Sequence, residues 1–477
     1  VAVYDRLSAL DRTFLDVEGP NTHMHVAGLF VFEGGGLRRP EGGLDIDRIR
    51  DYVASRLHLI PRYRQRIGRI PIENHPVWVD DERFNIAYHV RHTALPHPGD
   101  ERQLKRLCAR IISQQLDRGK PLWEMWIVEG LEHDRIALLS KAHHCMVDGV
   151  SGIDLLQVLL SATPEKDFDP PPKWYPNPAP SGRRLLRDAA LRRLRMPLAA
   201  AAAVRGALRE PELTLERMRD TAAALAAAGR SMLTQAAETP LNQPIGPHRR
   251  FDWVAFDIDE VRRVKRVLEG TVNDVVLATV AGAVGRFLAR RGVPAHQLAT
   301  LDFRAFCPVS VRTAAERRTL GNRVSALIAR LPVAERDPSV RLARVVEVMG
   351  DLKRSRQALS GELLSSDSEW TAPTLFSVAA RLANGYRAAN VVVTNVPGPR
   401  LPLYLLGARM TEAYPIAPLA ANQCLGIALF SYGGGLYFGF NADWDAVPDL
   451  HDFVIATDAS FRELCEAADA ASPELRR

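Results

Sequence analysis

The stretch Lys141–Gly152, KAHHCMVDGVSG, decides how this chain is read. An apolar run of strand length, Arg135–Ala142, delivers His143 and His144 into Cys145–Gly149, and a helix-like segment follows from Ile153. A histidine at a strand end next to a tight turn suits a cleft. There a neutral imidazole can take a proton from an alcohol that attacks an activated acyl group, help worth roughly 10²- to 10⁴-fold. Successive side chains on a strand face opposite ways, so one of the pair is expected to reach substrate while the other braces the turn. Asp148 can anchor the loop through an Arg or backbone donors, and Gly149 permits a backbone conformation or close approach denied to other residues. A histidine pair before an acidic-glycine turn also arises by chance, and the residues alone leave both readings open.

Working outward, 477 residues exceed what one hydrophobic core serves, so two domains of roughly 200 residues each are expected. Seven prolines lie between Thr163 and Gly182, which removes backbone donors and marks an extended connector. From Arg183 to about Ala237 the chain turns to Ala, Leu and Arg, predicting two or three helices, and a Pro/Gly-rich patch at Thr239–Pro247 closes the segment. The expected partition is therefore 1–170, a Pro-rich and helical linker 171–245, and 246–477. In the first part Val26–Phe32 and Arg135–Ala142 have strand character, while Ile46–Leu57 and Glu101–Leu116 carry helical spacing. In the last part Asn273–Arg290 reads as helix, Arg323–Leu331 and Asn390–Thr394 as strands, and Cys424–Phe440 as a hairpin through Gly433, Gly434 and Gly435. The fold class is α/β or α+β in both halves.

Hydrophobic residues at 47% and charged residues at 25% exclude wholesale disorder. The net charge of +6, carried mostly by Arg, favours anionic partners: a phosphorylated cofactor, anionic lipid or nucleic acid. Five scattered cysteines without metal-ligand spacing argue against a disulfide framework or zinc ribbon and suit a reducing cytoplasm. Charges at Asp5, Arg6, Asp11, Arg12, Asp16 and Glu18 interrupt any signal peptide. The alanine tract near Pro197 and the stretch from Ala413 are too short or too broken to span a bilayer, so membrane contact is expected to be peripheral. A Walker A loop, GxGxxG, GxSxG and HExxH are missing, which leaves nucleotide hydrolysis and serine-hydrolase chemistry without their usual support.

His143–Gly149 reads as HHxxxDG and resembles the active-site motif of acyl-CoA-dependent acyltransferases related to chloramphenicol acetyltransferase and to peptide-synthetase condensation domains. The chain is more narrowly similar to the bacterial wax ester synthase/diacylglycerol acyltransferase family, through Leu7–Asp11 (LSALD), Pro121–Trp123 (PLW), Asn273–Asp274 (ND), Pro308–Arg312 (PVSVR) and Asn395–Pro399 (NVPGP). These landmarks run in order along nearly the whole chain. The resemblance implies two chloramphenicol acetyltransferase-like domains joined by the linker, with an active-site tunnel at their interface. It makes His144 the general base, His143 its supporting neighbour, Asp148 a holder of the motif loop, and Asn273 a contribution from the second domain, beside its simpler use in capping a helix. Gly149 would keep the loop clear of the tunnel. Pro121, Leu122 and Trp123 would join the acyl or acceptor pocket, although a Trp after Pro and Leu more often packs a core. Ser310 and Arg312 would give structural support or an anionic cofactor contact, and Asn395 completes the implied substrate-binding set.

The activity implied is transfer of a long-chain acyl group from acyl-CoA to diacylglycerol or a fatty alcohol, without metal, permanent cofactor or acyl-enzyme. The alternatives are a condensation-type acyltransferase with a carrier-protein donor or a polyketide or amino acceptor, and a non-catalytic lipid-droplet protein. His23 and His25 share a strand face at a spacing that also permits metal, but with no third ligand in view structural histidines are favoured. The arginines from Arg183 to Arg195 set among leucines form a basic amphipathic surface for anionic lipid or for plain solvent, giving a cytoplasmic protein that touches a membrane or lipid droplet peripherally. Without interleaved aromatics this segment does not suit nucleic acid.

Overall fold

A computed structural model describes residues 4–146, 156, 158–192, 194, 235–310, 324–363 and 387–472. Two large sheets, each of six strands among the described residues, organise it. The strands are β1 (Asp5–Arg6), β2 (His25–Glu33), β3 (Gln65–Arg69), β4 (Pro76–Asp80), β5 (Val90–Ala94), β6 (Trp123–Leu131), β7 (Arg135–His143), β8 (Arg249–Asp257), β9 (Arg304–Ser310), β10 (Val324–Arg330), β11 (Val391–Pro397), β12 (Tyr404–Leu405), β13 (Ala408–Ile416), β14 (Leu425–Tyr432) and β15 (Gly435–Asp443). The first sheet runs β12-β13-β2-β7-β6-β5 and the second β10-β9-β11-β14-β15-β8, while β1-β4-β3 form a small sheet of their own. Helices and sheets mix in both halves, as the sequence predicts.

The strand expectations hold to within a few residues, and the differences are informative. The strand predicted over Arg135–Ala142 extends one residue further, so His143 is paired within the sheet, opposite His25. The helix predicted to reach Leu116 stops at Ile112 with Ser113 as its cap, and the carbonyls of Ile111 and Gln114 are taken by the buried Lys141 ammonium at 2.9 Å each. Its start is an Asp100/Gln103 capping box, and it buries Leu104, Cys108, Ile111 and Ile112. The predicted hairpin forms through Gly433 (φ 54°) and Gly434 (φ 90°), the two positive-φ positions that a tight two-residue turn demands.

The sheets do not keep to the contiguous partition. Strand β13, from the stretch after Leu405, leaves the C-terminal half and pairs antiparallel with β2, Tyr414 opposite Leu29. Trp253 of β8 stacks on Tyr414 at 4.8 Å, and Phe251, Phe430, Tyr432 and Tyr437 join the hydrophobic core of the first sheet. Joint burial of these aromatic rings ties the halves together, each ring contributing on the order of 2 kcal/mol by area.

Helix Val272–Arg290 is long and apolar enough to cross a membrane by length and composition, a property that the sequence reading overlooked. It is mostly buried, packed against helices Leu450–Ala471, Pro338–Leu363 and Ile258–Val267. A helix apolar all round is what the centre of a helical layer requires.

Candidate active site

The LSALD stretch begins the site. Ser8 caps helix Ala9–Val17, its hydroxyl oxygen accepting from the Asp11 amide at 3.1 Å and donating to the Asp11 carboxylate at 2.7 Å. Phe14 on this helix and Glu18 at its C-terminal cap are four residues apart, so they fall on one side and reach the two histidines together. Phe14 stacks on His144 at 4.0 Å with the rings 21° apart, and Glu18 meets His143 and His25.

The histidine backbone is gripped from two sides. The His143 amide donates to the Leu122 carbonyl at 2.9 Å, and the His144 amide to the Met24 carbonyl at 2.7 Å. His143 ends β7, whereas His144 opens a short 3-10 turn, His144–Met146. The two rings therefore part because the second has left the strand, a sharper reason than simple alternation.

The ring of His143 is buried, and its tautomer follows from its neighbours. The Cys145 amide can only donate, and it lies 3.1 Å from His143 Nδ1, so Nδ1 accepts and the proton sits on Nε2. That Nε2 is 3.5 Å from Glu18 Oε2, while His25 Nε2 is 3.3 Å from Glu18 Oε1. Arg118 completes the cluster, with Nε 3.1 Å and Nη2 2.5 Å from Glu18 Oε2. Burial by itself raises the Glu18 carboxyl, but His143, His25 and Arg118 outweigh it and hold the group well below the usual carboxylate range. Glu18 is thus a buried anion, its side chain only 1% exposed, that orients His143 and fixes its outward proton.

His144 differs in kind. It is half-buried, and its Nδ1 has no hydrogen-bond partner among the described residues. Close packing of protein atoms around the ring pushes its pKa down to about 4, so at neutral pH the imidazole is uncharged and free to accept a proton. The neighbouring Cys145 thiol is buried and pushed well up, by burial first and then by Asp11 and Glu18, which keeps it a thiol rather than a thiolate. Beneath the turn, Lys141 pairs with Glu124 at 2.5 Å in the interior.

The remaining sequence candidates separate. Pro121, Leu122 and Trp123 are buried: Leu122 supplies the carbonyl that holds His143, and Trp123 stacks on His89 at 4.5 Å and donates Nε1–H to the Tyr63 carbonyl at 2.8 Å. Trp123 is a core residue here, the commoner of the two expected uses. Asn273 lies in the first turn of helix Val272–Arg290, where Thr271 and Asp274 form a capping box, the Thr271 amide donating to Asp274 Oδ2 at 2.9 Å. Asn395 is half-buried in β11 of the second sheet, opposite Leu429. Among the described residues no hydrogen bond or ring contact joins Asn273 or Asn395 to the histidines. In NVPGP it is Gly398 whose identity is dictated, since a Cβ there would come within 2.1 Å of the Ser431 carbonyl oxygen. Ser310 ends β9, opposite Val324. Asp148, Gly149 and Arg312 lie outside the described residues.

His23 and His25 stack at 5.4 Å; His23 Nε2 lies 3.0 Å from the Pro20 carbonyl, and His25 faces Glu18, so both rings have structural work. Glu18 and Arg118 escaped the sequence reading. The available signal was an acid at a helix C-terminus, where the dipole disfavours negative charge unless a cation answers it.

Known proteins share this fold. Condensation-domain structures share the two-sheet fold: the first condensation domain of the calcium-dependent antibiotic synthetase superposes with a TM-score of 0.60 at 17% identity, over 98% of this chain and 97% of that one. The fold is thus of the chloramphenicol acetyltransferase-like kind. The family model for the wax ester synthase/diacylglycerol acyltransferase catalytic domain matches residues 7–276, and the one for the C-terminal domain of that family matches residues 320–465. A putative diacylglycerol O-acyltransferase of Mycobacterium tuberculosis is 33% identical over 98% of this chain and 91% of its own length, and an O-acyltransferase of Acinetobacter baylyi 31% identical over 94% of both. The wax ester synthase/diacylglycerol acyltransferase of Marinobacter aquaeolei superposes with a TM-score of 0.68 at 26% identity, covering 97% of this chain and 99% of that one. The chain belongs to the wax ester synthase/diacylglycerol acyltransferase family and is an acyltransferase.

Proposed function

We propose that the protein moves a long-chain acyl group from acyl-CoA to the hydroxyl of diacylglycerol or a fatty alcohol, with His144 as general base. The imidazole takes the hydroxyl proton while the oxygen bonds to the thioester carbonyl carbon; the carbon–sulfur bond then breaks, and the proton passes to the departing coenzyme A thiolate. Ester and free coenzyme A are the products, and the reaction needs no acyl-enzyme, metal or permanent cofactor. The observation that carries this reading is the contrast within the histidine pair: His143 is oriented by Glu18, and His144 is left uncharged and half-buried beside it. Cys145, held as a thiol, supports direct attack by the acceptor. Asp148 holds the motif loop in this reading, and Asn273 supports from the first turn of its helix.

Turnover would take place at a lipid surface inside the cell. The helix over residues 182–192 turns Leu185 and Ala189 onto the small sheet and leaves Leu191 and the following Leu194 46% and 72% exposed, near Arg183, Arg187 and Arg192. Exposed leucines beside arginines suit an anionic lipid headgroup layer.

The test is purified protein with palmitoyl-CoA and, in turn, diacylglycerol, hexadecanol and an amine, following lipid product and free thiol together. Ester formation with a hydroxyl acceptor that falls by 10²-fold or more in His144→Ala is expected. Equal turnover in both proteins would remove His144 from the mechanism, and preference for the amine would replace the acceptor class.

A further inference from the structure

A cavity of about 660 Å³, a size usual for small-molecule sites, opens between the two halves of the chain. One wall is the solvent side of helix Glu101–Ile112; the other is the start of β8 with Trp444 and the first turn of helix Leu450–Ala471. Four permanent cations line it, Arg102, Lys105, Arg106 and Arg250, against two carboxylates, Glu101 and Asp252. Lys105 is answered by both carboxylates at 2.5 Å, and Asp252 also binds His451 Nδ1 at 2.9 Å. Arg102 and Arg106, one helical turn apart and exposed, carry no ion pair among the described residues. Arg250 Cζ sits over the Trp444 ring, 3.8 Å from its centroid, while Arg250 Nε donates to the Trp444 carbonyl at 3.0 Å, and Trp444 remains 44% exposed. Unanswered guanidinium groups beside a partly exposed cation–indole pair fit a ligand that joins phosphates to an aromatic base.

Position brings this cleft close to His23 and His25, beside the His143 cluster. Ala109 of the same helix lines the cleft, while Ile112, one turn on, lines a small recess with His23, His25, Lys141 and Arg249. Strand β8 makes the same passage, Arg249 in the recess and Arg250 in the cleft. Arg106 and Ile112 are separated by about 9 Å of helix, at 1.5 Å per residue, so phosphates held in the cleft would lie a short distance from the residues around His25.

We infer that this cleft binds the phosphorylated adenosine end of coenzyme A, with Arg102 and Arg106 holding phosphate and the Arg250–Trp444 pair taking the purine. The assignment rests on acyl-CoA being the donor. Of the two substrates only the donor carries phosphate, while diacylglycerol and fatty alcohols are uncharged, so the cleft fixes which side of the molecule receives the thioester. The adenosine end acts as a handle remote from the chemistry, and its binding energy positions the reacting carbonyl.

The experiment compares wild type, the double variant R102E/R106E and a charge-matched surface double variant R83E/R266E. KM is measured for palmitoyl-CoA and for palmitoyl-pantetheine, which has the same thioester without the nucleotide, and calorimetry is run with adenosine 3′,5′-bisphosphate alone. The expected result is a rise of roughly ten- to a hundredfold in KM for palmitoyl-CoA in R102E/R106E, as loss of charge-assisted hydrogen bonds requires. KM for palmitoyl-pantetheine stays level between the two double variants, and the bisphosphate binds wild type in a salt-sensitive way but not R102E/R106E. Equal KM values for palmitoyl-CoA in the two double variants, or no bisphosphate binding to wild type, would overturn the assignment and leave the acyltransfer reading intact. Bisphosphate binding by a wild type that transfers nothing from palmitoyl-CoA would instead overturn the acyl-CoA reading, because calorimetry reads the cleft without turnover.

Discussion

The turn at His143–Met146 and the helix start at Thr271–Asp274 both place polar side chains at the end of a regular element, and both sit in motifs that the sequence marked. They use those side chains in opposite ways. At the helix start the polar groups largely answer one another: Thr271 and Asp274 exchange bonds of 2.7 to 3.2 Å, and the result is a well-stopped helix. At the strand end the His143 ring accepts from the Cys145 amide and faces Glu18 at 3.5 Å, whereas His144 faces Phe14 with Nδ1 unpartnered among the described residues. A missing bond alone does not separate the two regions, since Asp274 Oδ1 lacks a partner as His144 Nδ1 does; what sets the strand end apart is the cluster of Phe14, Glu18 and Arg118 gathered around it.

The largest effect expected from this contrast is at His144. His144→Ala lowers kcat by roughly 10²- to 10⁴-fold with the unfolding transition little moved, read by thiol release and denaturant titration on the same preparation. A kcat within twofold of wild type would erase the difference between the two regions. Next comes Glu18→Gln, which keeps the shape but removes the anion facing His143, His25 and Arg118. It should lower kcat by roughly ten- to a hundredfold with KM for the acceptor unchanged, and destabilise the fold by about 3 kcal/mol, the usual cost of breaking a buried pair. A change in KM alone would make Glu18 a pocket residue instead.

Acid sharpens the comparison further. Burial holds the His25 and His89 rings at about 4 against an ordinary 6.5, so the unfolded chain binds protons that the folded one refuses. Their neutral forms therefore favour the fold fully above pH 6.5, and that advantage drains away as pH falls toward 4, at about 3 kcal/mol per ring. With His144 also near 4, kcat/KM should stay flat from pH 8 to pH 6 and fall only toward pH 4, measured by short assays within the folded range. A midpoint near 6.5 would place the base elsewhere. The smallest effect belongs to the cap: Thr271→Ala should cost about 1 kcal/mol of stability and leave kcat within twofold.

Much of the site was legible because strand, turn and cap have local signatures. KAHHCM reads as a strand running into a turn and formed so, while LSALD, marked in the sequence only as a family landmark, turned out to be a capped helix start. Trp123 was legible as packing for the same reason, a large ring beside Pro121 and Leu122 at the opening of a strand. Glu18 was not legible: it lies 125 residues before His143, and its only local sign was a charge that spoiled an apolar N-terminus. The meeting of β13 with β2 was equally hidden, since an uncharged strand states that it wants burial and not which sheet will provide it.

By itself the amino-acid sequence determined the kinds of element, their order, the family and the pair of histidines at a strand end, because periodicity, capping and turn chemistry act over a few residues. Tertiary structure alone decided which distant groups surround His143, which strands close the first sheet, and where cations stay unanswered between the halves. Those outcomes depend on groups far apart in the chain being buried against one another. Desolvation and pairing between such groups set charge and tautomer, and neither can be read from a neighbour in sequence.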